Sequence, residues 1–142
     1  MKKILFLFII TSSTFIFSQN ETNEDRQGEP FFRTSNLINE IHDLLKQSYA
    51  YGHKSLIRKN DSLVHVNKNG ARKIHIKDID INSIEVKLED SNYRVIIKCK
   101  NGKKKMIADW GKYSTFGFPL KVERHAEEVA SKFRQYLSQF NF

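Results

Sequence analysis

Two short turn signals, each flanked by alternating apolar and polar residues, constrain the fold of this chain more than any other feature. They lie in residues 84–110 (IEVKLEDSNYRVIIKCKNGKKKMIADW), at Ser91-Asn92 and at Asn101-Gly102. Alternation with a period of two is typical of a strand with one buried face, and Asn-Gly is the pair most favoured in a two-residue hairpin turn. The segment therefore predicts a three-stranded antiparallel meander.

The turns also predict the register, because facing residues of an antiparallel pair have a constant index sum. A Ser91-Asn92 loop gives the core pairs Ile84–Cys99, Val86–Ile97 and Leu88–Val95, with Glu85–Lys98 and Glu89–Arg94 on the other face. An Asn101-Gly102 loop gives Ile97–Met106, Val95–Ala108 and Tyr93–Trp110. Both turns place the same residues of the central strand toward the core.

Four further β-type runs bring the predicted strands to seven: SLIRK, SLVHV, ARKIHI and FPLKV join SIEVKLE, YRVIIKC and KKMIAD. A loop at Asn60-Asp61 pairs Ile57 with Val64. A three-residue loop, 68–70, then pairs Val64 with Ile74 and leaves Leu56 and Leu63 on the outer face, where the first helix could cover them. Apolar residues at helical spacing predict helices over 35–51 and 123–140.

The N-terminal segment has the organisation of a secretory signal. Two lysines precede an apolar run over residues 4–10, and small polar residues follow before a possible cut after Ser18. The alternative is a membrane-anchoring helix, but the apolar run is short for a bilayer span of about 20 residues. We expect a cleaved signal peptide over 1–18 and an exported protein, periplasmic or secreted, with no transmembrane span after cleavage.

Residues 19–33 are expected to be a flexible acidic spacer, and 34–142 a single domain. The whole chain has a formal net charge of +8, so it favours anionic partners such as an acidic polymer of the envelope or the medium. Charge alone does not choose among these partners.

The order of elements resembles the pleckstrin-homology-like superfold. The resemblance covers roughly residues 54–141 and depends on about seven antiparallel strands followed by FPLKVERHAEEVASKFRQYL, a last strand and a closing amphipathic helix. It implies an α+β domain with a barrel or strongly bent sheet, to which the N-terminal helix is an addition. Phosphoinositide-binding members carry a basic motif in the first hairpin loop, where this chain has only Arg58 and Lys59.

The sequence contains no hydrolase motif, no glycine-rich phosphate-binding loop and no paired-carboxylate signature. We therefore expect a protein that is not an enzyme and has no cofactor. His65 and His75 fall on the outer faces of adjacent predicted strands. They are interpreted as surface histidines rather than metal ligands, although their convergence in a polar pocket would favour a metal enzyme.

Cys99 is the only cysteine, and its place in the alternation predicts a buried core residue. The alternative is a reactive thiol activated by its register partner Lys104.

The lysines beside Asn101-Gly102 are the first candidate binding surface. The predicted register places Lys100 opposite Lys103 and Lys98 opposite Lys105 on the outer face, with Lys87 close by. Facing like charges cost stability, so these pairs are either an anion-binding surface or a device that keeps exposed strands soluble. The absence of arginine and of stacking aromatics there argues against specific nucleic-acid recognition.

The segment 109–118 (DWGKYSTFGF) is the second candidate, with Trp110, Tyr113 and Phe116 as a protein-interaction edge. Its alternative role is to plug an open barrel end, with Trp110 on the core side. The sequence therefore predicts an exported binding module that uses the lysine hairpin, or an interaction or inhibitor domain that uses this aromatic loop. It does not identify the ligand or partner protein.

Overall fold

The computed structural model describes residues 28–140, with side chains from Asn36 onward. The predicted signal segment, 1–18, and residues 19–27 of the predicted spacer lie outside this part of the chain. The elements are α1 (Gly28–Ser48), β1 (His53–Lys59), β2 (Ser62–Asn67), β3 (Gly70–His75), β4 (Ile79–Glu89), β5 (Asn92–Cys99), β6 (Met106–Ala108), β7 (Gly111–Tyr113), β8 (Thr115–Leu120) and α2 (Glu123–Leu137). Within residues 28–140, no helix is long and apolar enough to cross a membrane.

The eight strands form two antiparallel sheets, in the orders β1-β2-β3-β6-β7 and β4-β5-β8. The fold is therefore α+β, as predicted. The strands do not close into a barrel, so the expectation of a barrel was wrong for the described chain. A single residue, Ser114, separates β7 from β8, and the chain passes there from the larger sheet to the smaller one.

The first two hairpins differ in how well the sequence predicted them. Ile57 pairs with Val64, as expected. The next turn, however, has two residues rather than three, because Asn67 pairs with Gly70 and its Oδ1 accepts the Asn69 N–H at 2.8 Å. A slip of one residue exchanges the two faces of a strand. Leu63 consequently faces Ile74 in the core. Leu56 and Leu63 are buried in one core with the apolar side chains of α1, so they are not exposed, in agreement with the expectation that the first helix could cover them.

The β4–β5 turn lies one residue earlier than predicted, at Asp90-Ser91, where both residues have positive φ. Val86 now pairs with Val95, which changes the index sum by two and keeps the alternation of faces near the turn. Ile84, Val95, Ile97 and Cys99 are buried as predicted, but the predicted core position of Leu88 was wrong, because this residue is 66% exposed. Two predicted charge pairs survive as diagonal ion pairs of 3.1 Å, Glu85 with Lys98 and Glu89 with Arg94.

Asn101-Gly102 does form a turn with two left-handed residues, but the chain beyond it does not return along β5. Strand β6 pairs with β3, and β5 pairs with β8 instead. The predicted pairs Ile97–Met106, Val95–Ala108 and Tyr93–Trp110 were therefore wrong. The residues of β5 pair with β8 as Ile97–Phe116, Val95–Phe118 and Tyr93–Leu120. Aromatic side chains opposite β-branched ones stabilise a sheet more than Met106 and Ala108 would.

Helix α2 buries one stripe against the sheets, as its spacing predicted: Ala126, Val129, Ala130, Phe133 and Leu137. Lys132 of this helix forms an ion pair with Glu40 of α1, which links the two helices at the surface. Cys99 is 2% exposed and packs in the same core, as predicted.

Candidate ligand-binding cleft

A cleft of about 410 Å³ opens between the outer face of β5 and β8 and the turns at the end of the larger sheet. Its residues come from the α1–β1 connection, from β3, β5, β7 and β8, from the ends of β2, β4 and β6, and from the loops that join β2 to β3 and β6 to β7. Clefts of this size hold small molecules or single groups of a larger ligand.

Two arginines line this cleft. Arg72 donates from Nη2 to the Tyr49 hydroxyl at 2.9 Å and to His65 Nδ1 at 3.0 Å. Arg94 binds Glu89 through Nη1 at 3.1 Å. Gly117 makes room for Arg94, since a Cβ there would lie 3.3 Å from the arginine Cδ. Each guanidinium therefore has a fixed position.

The protein does not satisfy all the donors of these arginines. Within residues 36–140, Nη1 of Arg72 has no hydrogen-bond partner, and the Nε atoms of Arg72 and Arg94 are buried without one. Burial lowers the pKa of Arg72, the neighbouring Tyr49 hydroxyl opposes that shift, and the charge of Arg94 adds to it. The two cations thus repel each other across a site with spare donors.

Aromatic side chains also line the cleft. Trp110 and Tyr113, from the β6–β7 hairpin, are 53% and 39% exposed, and Tyr51 stands at the α1–β1 connection. Trp110 packs on Gly70, where an added Cβ would lie 2.8 Å from its ring. Ile96 and Met106 contribute apolar surface to the same lining.

The cleft brings together two of the three predicted aromatic residues, Trp110 and Tyr113. Phe116 is not with them: it is fully buried beneath Arg72, whose guanidinium carbon lies 5.0 Å from the ring centroid. The expected core position of Trp110 was wrong, because β6 joins β3 and leaves this residue on an exposed turn.

The predicted lysine surface divides into two parts. Lys87 and Lys98 both contact Glu85 at 3.1 Å, and these hydrogen bonds, first from Lys98 and then from Lys87, lower the pKa of Glu85. Lys98 pairs with Thr115 and Asp80, so the predicted pair of Lys98 with Lys105 was wrong. Lys100, Lys103 and Lys105 lie on the exposed turn after β5.

His65 and His75 do not converge. His65 is fully buried, whereas His75 is exposed and shares a 3.1 Å hydrogen bond with Ser62. The prediction of two surface histidines was wrong for His65, because the shorter β2–β3 turn reverses its face. Among the described residues, no group of histidine, cysteine or acidic side chains could hold a metal ion.

His65 instead belongs to a hydrogen-bonded chain that the sequence analysis missed. His42 Nδ1 lies 2.8 Å from His53 Nε2, and His53 Nδ1 lies 3.2 Å from His65 Nε2. Burial lowers the pKa of His53 to about 4, with a smaller effect of His42. Burial, then Arg72 and His53, lower the pKa of His65 to about 2. Had a two-residue β2–β3 turn been predicted, part of this hydrogen-bonded line would have followed, since that turn places His65 opposite Arg72.

We expect the neutral histidines to make the fold sensitive to acid. In the unfolded chain a histidine binds a proton below about pH 6.5. In the folded chain His53 and His65 bind a proton only at lower pH. The unfolded state therefore takes up more protons, and the free energy of unfolding falls as pH decreases below about 6.5. We expect a loss of about 2 kcal/mol between pH 7 and pH 5, after allowance for partial exposure of His53. Urea unfolding at both pH values measures it. His53→Gln combined with His65→Asn should flatten the dependence, and His75→Gln should not; equal slopes in all three proteins would contradict the interpretation.

No family model, curated protein or solved structure matches this chain.

Proposed function

We propose that this protein is an exported, non-enzymatic binding module of pleckstrin-homology-like organisation whose cleft holds an anionic ligand with an apolar part. The observation that carries the proposal is the pair of guanidinium groups, Arg72 and Arg94, in the lining of a cleft that also holds exposed aromatic side chains. The ligand would be an organic acid, or an acidic group of an envelope or extracellular polymer.

The balance of donors and acceptors supports an anion. The Tyr49 hydroxyl accepts hydrogen bonds from Arg72 and from Asn67 Nδ2, at 2.9 and 3.2 Å, so its own proton is left to donate. Nη1 of Arg72 is a second donor without an acceptor within residues 36–140. A carboxylate, sulfate or phosphate oxygen fits such donors because it accepts several hydrogen bonds.

The charges support the same conclusion. Glu89 neutralises one of the two arginines, and the remaining positive charge has no carboxylate contact among the described residues of the cleft. An oxyanion between the two guanidinium groups would relieve their repulsion and form charge-assisted hydrogen bonds, which contribute about 1.5–3 kcal/mol each.

The aromatic side chains of the lining support an apolar part of the ligand. Trp110 and Tyr113 are held at the mouth of the cleft, with Ile96 and Met106 deeper in it. A bare inorganic anion would contact only the arginines and leave these side chains in water. An aryl or alkyl group attached to the anion would bury them and add hydrophobic stabilisation.

Fluorescence of Trp110, the only tryptophan, tests the proposal directly. Titration with benzoate or phenyl phosphate should change the emission saturably, and neutral benzyl alcohol should not. Arg94→Gln should weaken binding about tenfold, the effect of losing one hydrogen bond to a charged group. Arg124→Gln removes the same charge from an exposed site outside the cleft lining and is the matched control. Equal binding of benzyl alcohol, or an unaffected Arg94→Gln protein, would refute the proposal.

The lysine hairpin is a second candidate, for an anionic polymer rather than a small acid. Lys103, Lys104 and Lys105 are exposed, and no acidic side chain among the described residues forms an ion pair with them. A variant with Lys98, Lys100, Lys103 and Lys105 replaced by Gln separates the two sites. If the hairpin is the site, this variant should lose the salt-sensitive retention on a sulfated matrix. It should leave benzoate binding nearly unchanged if the cleft is the site.

A further inference from the structure

Three histidines from three elements form a continuous hydrogen-bonded line that ends at an arginine of the cleft. His42 lies on α1, His53 on β1, His65 on β2 and Arg72 on β3. The successive nitrogen–nitrogen distances are 2.8, 3.2 and 3.0 Å. None of the three histidines lines the cleft.

The donor at one end fixes the tautomer of every ring. A guanidinium nitrogen is only a donor, so His65 Nδ1 accepts from Arg72 and its proton resides on Nε2. That proton is donated to His53 Nδ1, which in turn leaves the His53 proton on Nε2 for His42 Nδ1. His42 Nδ1 also accepts the Leu56 N–H, at 3.3 Å. Each of the three Nδ1 atoms therefore accepts a hydrogen bond, and all three Nδ1 lone pairs are in use.

The surroundings hold the rings in this arrangement. The His53 and His65 rings stack with an interplanar angle of 13°, and the Tyr49 and Phe118 rings lie 5.2 and 5.0 Å from His65. The charged and titratable groups that face the line are Tyr49 of the α1–β1 connection and Arg72 of β3, with Arg94 of β5 beyond Arg72; β8 contributes only Phe116 and Phe118. Within the described residues, no carboxylate contacts it.

Both bonds of this arrangement use the same guanidinium nitrogen. Nη2 of Arg72 donates to His65 and to Tyr49, and Nε is buried. Nη1 is the nitrogen that neither bond uses. Since Arg72 lines the cleft, the orientation that His65 imposes decides which donor meets a ligand there.

We propose that His65 is a positioning residue for ligand recognition: its Nδ1 lone pair, kept available by the tautomer of His53 and His42, holds Arg72 with Nη1 toward the cleft. The inference depends on the proposed function, because it assigns to His65 an effect on the affinity of that same cleft. It requires the lone pair and not the bulk of the ring.

Two amide substitutions separate the lone pair from the bulk. In His65→Asn the amide oxygen takes the place of Nδ1 and still accepts from Arg72; in His65→Gln the polar atoms take the place of Nε2 and that acceptor is lost. Benzoate affinity, followed by Trp110 fluorescence, should stay within about threefold of wild type in His65→Asn and fall about tenfold in His65→Gln, the loss of one oriented charge-assisted hydrogen bond.

Thermal unfolding of both variants controls for stability, because a purely structural role would change both affinities in proportion to stability. Equal affinities in the two variants, or a loss that follows only the melting temperature, would overturn the positioning role. If His65→Gln does not fold, His42→Asn and His42→Ala repeat the comparison at the far end of the line, with affinity retained in the first and reduced about twofold to threefold in the second. Absence of benzoate binding to the wild-type protein would instead refute the proposed function, so the two failures are distinguishable.

Discussion

Replacing Phe118 with alanine is expected to lower the free energy of unfolding by about 3–5 kcal/mol. Phe118 is fully buried on β8, where its ring centroid lies 4.6 Å from Phe116 and 5.1 Å from Phe133 of α2. It also lies 5.0 Å from the His65 ring of the larger sheet. One side chain thus connects both sheets and a helix, and its removal leaves a cavity that no single element can close.

Urea unfolding of the wild type and the Phe118→Ala protein measures this loss. Leu88→Ala is the matched control, since Leu88 is a large apolar residue on β4 that is 66% exposed. Its truncation should cost less than about 0.5 kcal/mol. Similar losses for the two variants would mean that the core does not lie where β8 meets α2.

Replacing Gly70 with alanine is expected to cost about 3 kcal/mol, from backbone strain together with a steric clash. Gly70 has a φ of +130°, a conformation that L-residues rarely adopt. A Cβ there would lie 2.5 Å from Asp109 Oδ2 and 2.8 Å from Trp110 Cζ3. The Asp109 carboxylate cannot retreat freely, because it accepts the Ala71 N–H at 2.9 Å.

Gly102→Ala provides the matched control for the clash. Gly102 also has a positive φ, of +62°, but no atom lies within 4 Å of a Cβ built there. The Gly102→Ala substitution should lower the free energy of unfolding by only about 1 kcal/mol, the strain of a left-handed residue. The Gly70 variant should also shift the emission of Trp110, since the clash moves that ring. Equal costs for the two variants, with unchanged emission, would contradict the packing of Trp110 on this turn.

Local patterns in the sequence were enough to predict that Ile84, Val95 and Cys99 of the β4–β5 hairpin face the core, but not that Leu88 near its turn is exposed. The alternation from Ile84 to Cys99 allows a register error of two residues without exchanging faces. At β2–β3 the predicted turn was one residue too long, and an error of one residue does exchange the faces. Leu63 and His65 were therefore assigned to the wrong face of the sheet. The side chain of Asn67 decides that turn, and nothing in the strand pattern signals its role.

Long-range pairing could not be predicted in the same way. Strand β5 was predicted to pair with the next run along the chain, whereas its second neighbour is β8, which contributes Phe116 and Phe118. The cleft depends on this choice, because it places Arg94 beside Gly117 and separates Trp110 from β5. Tyr49, Arg72 and Arg94 are distant in sequence and have no motif, so only the folded chain brings them together.

The most direct measurement of the central claim is the response of the arginine side-chain N–H signals to benzoate in a ¹H–¹⁵N NMR titration. We predict that the signals of Arg72 and Arg94 move together and saturate with one dissociation constant, while the signal of Arg124 stays in place. Movement of Arg124 to the same extent, or unchanged signals of Arg72 and Arg94 at benzoate concentrations that alter Trp110 fluorescence, would contradict an anion site between the two guanidinium groups.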